Sequence, residues 1–257
     1  MKVTFLGTGT SQGIPVIGSQ HPVCKSHDPR DKRLRVSIAI SWDDVCYVID
    51  CGPDFRQQML RHAPAHLTGL LLTHEHADHT AGLDDIRPFF FRQGKINMWM
   101  SPRVHKELIR RFDYIFSDKN KYPGAPSVHV EHVEKQHPFF LDGKKVTPIE
   151  VMHHRLPVLG YRIENFAYLT DVKTIDKEGL EALQGLEVLV INALRIEPHP
   201  SHLNLSEALG LIDQLAPQKA YLTHISHLLG FHAEVEKELP PNVFLAYDNL
   251  EIYLDEK

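Results

Sequence analysis

The chain has 257 residues, is 42% hydrophobic and carries a formal charge of −5 at neutral pH. That length and apolar content support a substantial core, and we expect one domain over residues 1–257, because no linker or low-complexity tract divides the sequence. No apolar run reaches the length of a membrane span, the acidic balance argues against a face built to grip nucleic acid, and the three cysteines, Cys24, Cys46 and Cys51, argue against a disulfide framework. The start, Met1 to Gly7, lacks the long apolar segment of a secretion signal, so a cytoplasmic location is expected.

Val3 to Leu6 and Val36 to Trp42 read as strands. The glycine-rich stretch from Gly7 to Pro15 lacks the GxGxxG spacing and the Lys-Ser/Thr of nucleotide loops, so its glycines are read as sharp turns beside a site. Ser19 to His27 holds a small group of soft ligands and reads equally well as a surface loop. Val45 to Asp50 is a buried strand ending in a carboxylate, followed by a short helix from Asp54 to Arg61. Asp50 is either a partner that orients a ligand histidine or a turn residue.

Thr80 to Phe90 reads as a helix stopped near Pro88, and Ile96 to Met100 as a strand. Ser101-Pro102 then supplies the N-cap and first position of a helix from Arg103 to Phe116. The cations of that helix, Arg103, Lys106, Arg110 and Arg111, read as a solvated face. Asp142-Gly143 marks a hairpin whose second strand ends at His153 and His154; a further hairpin, Gly160 to Ile163 and Ala167 to Thr170, delivers Asp171. Helices Thr174 to Leu183 and Ser206 to Leu215 alternate with strands Val188 to Ile191 and Ala220 to Thr223, and Asn204 with Glu207 forms a capping-box signature. Substrate choice is expected to rest on the loops Arg92 to Gly94, Lys119 to Pro126 and Leu228 to His232.

The stretch Thr73-His74-Glu75-His76-Ala77-Asp78-His79 follows the apolar strand Leu70-Leu71-Leu72 and offers three imidazoles and a carboxylate suited to Zn²⁺, Mn²⁺ or Fe. On a helix, His74 and His76 would point about 200° apart at roughly 100° per residue, so the motif reads as a loop. Leu72-Thr73-His74, Leu169-Thr170-Asp171 and Leu222-Thr223-His224 repeat one pattern, an apolar strand ending in Thr and then a ligand-type residue. Such convergence, with alternating strands and helices, predicts an α/β sandwich with helices outside. The strand-end set His74, His76, Asp78, His79, His154, Asp171 and His224 exceeds the four ligands of a closed structural zinc and suits two ions sharing one carboxylate. Two such ions about 3.5–4 Å apart can hold a bridging hydroxide, which means hydrolysis.

The Thr-His-Glu-His-Ala-Asp-His motif, with His154, Asp171 and His224 as counterparts of the later ligands, resembles the signature of the metallo-β-lactamase-fold hydrolases. Within them the chain is similar to the PhnP-type phosphodiesterases, from Gly7-Thr8-Gly9-Thr10 to Tyr247-Asp248-Asn249-Leu250. The resemblance implies a four-layer αβ/βα sandwich and hydrolysis of a small or cyclic phosphate ester such as a ribosyl 1,2-cyclic phosphate. It also implies two divalent ions, Zn or Mn. His74, His76 and His154 would bind one, with His153 the competitor for the third place; Asp78, His79 and His224 would bind the other, and Asp171 would bridge. His202, with His199 close by, matches the family's additional histidine near the scissile bond and is assigned, with Asp78, to catalysis. The family's Cys-x-Cys-x-x-Cys is here Ser19, His21 and Cys24, so an additional structural zinc would fall to His21, Cys24, His27 and His227. The alternatives are a tRNA 3′-processing endonuclease, for which no tRNA-binding arm is apparent, or a thioester or lactone hydrolase. A small phosphate-ester substrate is the expected partner, and the resemblance leaves room for a homodimer.

Overall fold

The computed structural model describes residues 1–117, 119 and 121–254; Asn120, in the loop expected to bear on substrate choice, lies outside them. Strands β1 (Lys2–Gly7), β2 (Ser37–Trp42), β3 (Val45–Ile49), β4 (Gly69–Leu71), β5 (Ile96–Met100) and β6 (Val128–His132) lie side by side in sequence order. The last strand, β15 (Glu251–Tyr253), pairs antiparallel with β1 and closes that sheet's edge. In the second sheet, β8 (Lys144–His153), β9 (Leu156–Ile163) and β10 (Phe166–Leu169) form a meander, β7 (Phe139–Leu141) and β11 (Thr174–Ile175) pair with β8, and β12 (Val188–Asn192), β13 (Lys219–Thr223) and β14 (Val243–Leu245) follow β10 in parallel.

Alternation along the strands sorts the side chains into layers. Leu71 faces the core between the sheets with Phe5, Ile38, Ile49, Tyr161, Tyr168 and Val190. Its neighbours Leu70 and Leu72 point the other way, under helices α2 (Phe55–His62), α4 (Arg87–Gln93) and α5 (Pro102–Arg111). The outer face of the second sheet is covered by α7 (Lys177–Ala182), α8 (Leu205–Leu215) and α9 (His232–Glu238) through residues such as Ala208, Ile212 and Val235. The result is the expected four-layer α/β sandwich. No helix among the described residues is long and apolar enough to cross a membrane.

Local signals held where the backbone itself carried them. Ser101 accepts from the Val104 amide with Pro102 in the first turn, and Asn204 and Glu207 form a reciprocal capping box. The helix expected over Thr80 to Phe90 is instead α3 (Ala77–Thr80), a 3₁₀ turn at Leu83–Ile86 and then α4, so Pro88 opens a helix, where its missing N–H costs nothing, and does not stop one. The helix expected to begin at Thr174 starts only after Asp176, which caps it through the Gly179 amide. The expected helix over Arg103 to Phe116 breaks at Phe112, between α5 and α6 (Asp113–Phe116).

Candidate metal centre

The site lies at the carboxyl ends of the parallel strands, where both sheets deliver residues to one point. Asp50 follows β3, Thr73 and His74 follow β4, Asp171 follows β10 and His224 follows β13. Asp50, Asp171 and His224 all take a positive φ, 65°, 57° and 53°. This left-handed conformation turns the chain sharply as each strand ends; Asp and His tolerate it better than most residues. The loop carrying the histidines folds tightly against Cys51-Gly52. The Cys51 amide donates to the His79 carbonyl at 2.8 Å, and a Cβ on Gly52 would stand 1.9 Å from the Asp78 carbonyl, so only glycine fits there.

Hydrogen bonds fix which ring nitrogen of each histidine is free. Buried Asp50 accepts from the Thr73 amide (2.9 Å), the Thr73 hydroxyl (2.8 Å) and His79 Nδ1–H (2.7 Å). Because the Thr73 hydroxyl gives its one proton to Asp50, His74 Nδ1–H must be the donor in its 3.0 Å contact with that oxygen. In the neutral ring, Nε2 therefore carries the lone pair on both His74 and His79. These atoms are buried without a hydrogen-bond partner, as are both ring nitrogens of His224. His153 gives its Nδ1–H to the Ser201 carbonyl (2.8 Å), leaving its Nε2 free as well. Asp50 thus orients the His79 ring and is not a turn residue alone.

The free atoms converge. His79 Nε2 stands 3.4 Å from Asp78 Oδ2 and 3.2 Å from Asp171 Oδ2, and His224 Nε2 stands 3.8 Å and 3.3 Å from the same two oxygens. Donors held at 2.0–2.2 Å in a tetrahedron around one ion sit roughly 3.3–3.6 Å apart. The donor set therefore fits a divalent ion with little rearrangement. Ligand-type atoms also cluster in His74, His79 and Asp171 and in His153, Asp171 and His202, so Asp171 belongs to both of these groups. His76 completes the rim, its ring 4.6 Å from His74 and 5.3 Å from His153.

The electrostatics call for positive charge. Burial pushes Asp171 and Asp78 up, but the surrounding imidazoles outweigh it and hold both carboxyls below the usual carboxylate range. Burial pulls His79 down, and Asp171, Asp50 and Asp78 more than reverse that. Burial also drives His74 well below its ordinary value and His202 down to about 4, so these rings are neutral and available as donors of a lone pair or acceptors of a proton.

Of the residues read from the sequence, His74, His76, Asp78, His79, Asp171, His224 and His202 meet here. His154 does not. The β8–β9 register pairs His153 with Leu156, so His154 and Arg155 form a two-residue hairpin turn, and His154, with φ of 56°, is exposed. His153 takes the place expected for it. The structural-zinc quartet is not assembled either. His21 caps α1 (Pro22–Lys25) by accepting the Val23 amide at its Nδ1, Cys24 packs among Ile14, Val23, Val16 and Phe231, and His27 is exposed. Of the four, His21 and His227 touch, their rings edge to face at 4.9 Å, and no metal-type group among the described residues includes any of them.

Sequence reading missed two supports. Buried Asn192 clasps the strand end beyond Asp171 by accepting the Val172 amide (2.6 Å) and donating to its carbonyl (3.2 Å). His199 Nδ1 lies 3.1 Å from His202 Nδ1, with Ser201 Oγ 3.2 Å from each ring. The His-Pro-Ser-His spacing was the available signal for the second.

Residues 46–225 match the beta-lactamase superfamily domain. A solved structure of a diphosphatase from the PhnP family superposes with a TM-score of 0.92 at 36% identity, covering 99% of this chain and 98% of that one. Zn²⁺-bound PqqB from Methylobacterium extorquens shares the fold, with a TM-score of 0.80 at 18% identity over 99% of this chain and all of that one. An octanoyltransferase of Porphyromonas gingivalis is 40% identical across all of this chain, which accounts for 52% of that protein. A ribonuclease Z of Methanococcus maripaludis is 25% identical over 190 residues, 70% of this chain and 54% of that one. The chain thus spans about half the length of these curated relatives. With His and Asp donors gathered as a divalent metal needs, the chain belongs to the metallo-β-lactamase-fold hydrolases, in their PhnP family.

Proposed function

We propose that the chain is a two-ion phosphodiesterase acting on a small or cyclic phosphate ester. The observation that carries this reading is the position of Asp171. Its Oδ2 faces the free nitrogens of His79 and His224, while its Oδ1 lies 2.9 Å from His202 Nε2, on the side where His153 stands. This position supports one carboxylate shared between two donor sets. His74, His76 and His153 would hold one ion, and Asp78, His79 and His224 the other. Divalent ions there, Zn or Mn, supply Lewis-acid polarisation of phosphoryl oxygens and acidify water towards neutral pH.

The protein's own groups supply the rest. Asp50 and Thr73 hold His79 and His74 in the tautomer that presents Nε2. His202, beside Asp171 and backed by His199 and Ser201, is the group to stabilise the charged phosphate or, once it has taken up a proton, to pass it to the leaving oxygen. The kinship with a PhnP-family diphosphatase along nearly the whole of both chains supports phosphate over carbonyl chemistry.

A second reading, thioester hydrolysis, is favoured by one finding, the 40% identity to half of an octanoyltransferase. The two separate in one experiment: turnover of bis-p-nitrophenyl phosphate and a 2′,3′-cyclic nucleotide beside an octanoyl thioester and a lactone, with metal counted on the same sample. Phosphodiester cleavage with two ions per chain is the expected result. Carbonyl-ester cleavage alone would overturn the substrate class, and fewer than two ions would overturn the two-ion site.

A further inference from the structure

The four cations of the helix after β5 were all expected to face solvent, yet two of them, Arg103 and Arg111, reach the metal loop. Arg103, in the first turn of α5, donates from Nη1 to Glu75 Oε1 and from Nη2 to the Pro157 carbonyl at 2.5 Å. Arg111, at the other end of the helix, donates to the Glu75 carbonyl at 2.5 Å. Arg110, by contrast, pairs with Glu107 on the surface.

The two acceptors of Arg103 belong to different sheets. Glu75 sits between His74 and His76, in the loop leaving β4. Pro157 pairs with Met152 in the β8–β9 hairpin, one residue beyond Leu156, the partner of His153. A single guanidinium therefore spans the two segments whose histidines meet at one ion site. A planar fork with donors fixed in direction can bridge two acceptors in this way; an ammonium, a point charge on a flexible stem, holds the two directions less firmly. Two further bonds run between the same segments, Leu159 N–H to the Thr73 carbonyl (3.0 Å) and Tyr161 O–H to the Leu72 carbonyl (2.7 Å), but both lie deeper, before the loop departs. Arg103 ties the loop at Glu75, between the two histidines, to the hairpin at Pro157.

We propose that Arg103 is a positioning residue that clamps the His74–His76 loop to the His153 hairpin and so sets the affinity of the His74/His76/His153 ion site. The inference rests on the two-ion reading above. Groups that orient metal ligands from outside typically change metal affinity by 10–100-fold when removed. The test is chelator competition on wild type and Arg103→Met, following the release of each ion, together with thermal melting of the metal-free proteins. The expected result is one ion bound about 10–100-fold more weakly, the other within about twofold of wild type, and metal-free melting little changed. Arg103→Lys should recover only part of the loss. Glu75→Gln, which keeps an acceptor oxygen but not the charge, should weaken the same ion, and the double variant should be no worse than Arg103→Met, because the two side chains act as one unit.

If Arg103→Met does not fold, Arg103→Lys and Glu75→Gln carry the same comparison. Wild-type release of every ion from a folded Arg103→Met, or equal weakening of both ions accompanied by a lower metal-free melting temperature, would overturn the clamp. A wild-type protein holding one ion would refute the two-ion reading on its own, independently of what Arg103 does.

Discussion

Replacing Asp50 by Asn tests whether the ligand histidines owe their metal affinity to the buried carboxylate behind them. Asp50 is fully buried, sits at φ 65°, and accepts three hydrogen bonds of 2.7–2.9 Å from Thr73 and His79. Asn tolerates that backbone conformation and nearly matches the side chain in shape, so the fold is retained. Its amide oxygen can still serve the Thr73 amide, but its NH₂ then faces two donors, the Thr73 hydroxyl and His79 Nδ1–H. The charge-assisted bond to His79 is worth roughly 1.5–3 kcal/mol. At 1.4 kcal/mol per tenfold, that loss weakens metal binding by about 10–100-fold. Burial pushes the Asp50 carboxyl up against the opposing pull of His79 and Thr73, so a neutral amide also relieves desolvation, and the metal-free protein should melt close to wild type. Chelator competition and metal-free melting read the two effects separately. Wild-type metal affinity in a folded Asp50→Asn protein would refute the reasoning and return Asp50 to the status of a turn residue.

Three other outcomes are expected. His153→Ala should lose one equivalent of metal while His154→Ala keeps both, as read by metal content after gel filtration; the reverse would restore the assignment made from sequence. His202→Ala should keep both ions and lower kcat on phosphodiesters by about 10²–10⁴-fold, the range for a general acid; loss of an ion would make His202 a ligand instead. Buried His232 carries a stability term that depends on pH. Burial together with Arg33, whose Nη2 donates to His232 Nδ1 at 3.1 Å, and Arg30 lowers its pKa to about 4, against the opposing pull of Asp28 and Asp31. The unfolded chain therefore binds the extra proton between pH 6.5 and 4, and the term is intact above 6.5 and lost as pH falls through 4. Its full size is about 3 kcal/mol. Denaturant titrations of wild type and His232→Gln should diverge across that window; a constant difference would refute the assignment.

What could be read in the sequence was what depends on neighbours along the chain. Leu-Thr followed by His or Asp announced three strand ends because each unit is local: an apolar strand, then a residue that accepts the left-handed turn, at Asp171 and His224 with φ of 57° and 53°. The capping signals at Ser101 and Asn204 were legible for the same reason. The one-residue error at His154 shows where this ends. Both histidines follow an apolar strand, and the choice depends on which is the last residue paired with β9, a register set across the hairpin and not by either side chain. The functions of the charged groups were less visible still. Arg103 lies 28 residues from Glu75 and 54 from Pro157, and on its own helix it is indistinguishable from Arg110, which stays at the surface. Nor could the spacing of His21, Cys24 and His27 reveal that the first would cap a helix and the second join an apolar cluster. A metal centre built where two sheets meet therefore has two kinds of residue. The candidate ligands carry a local signature because they sit at strand ends or in the one loop that follows β4, whereas the groups that hold them in register act between segments. Variants of Asp50 and Arg103 should on this account change metal affinity more than those of exposed His154, although only the last was expected among the ligands.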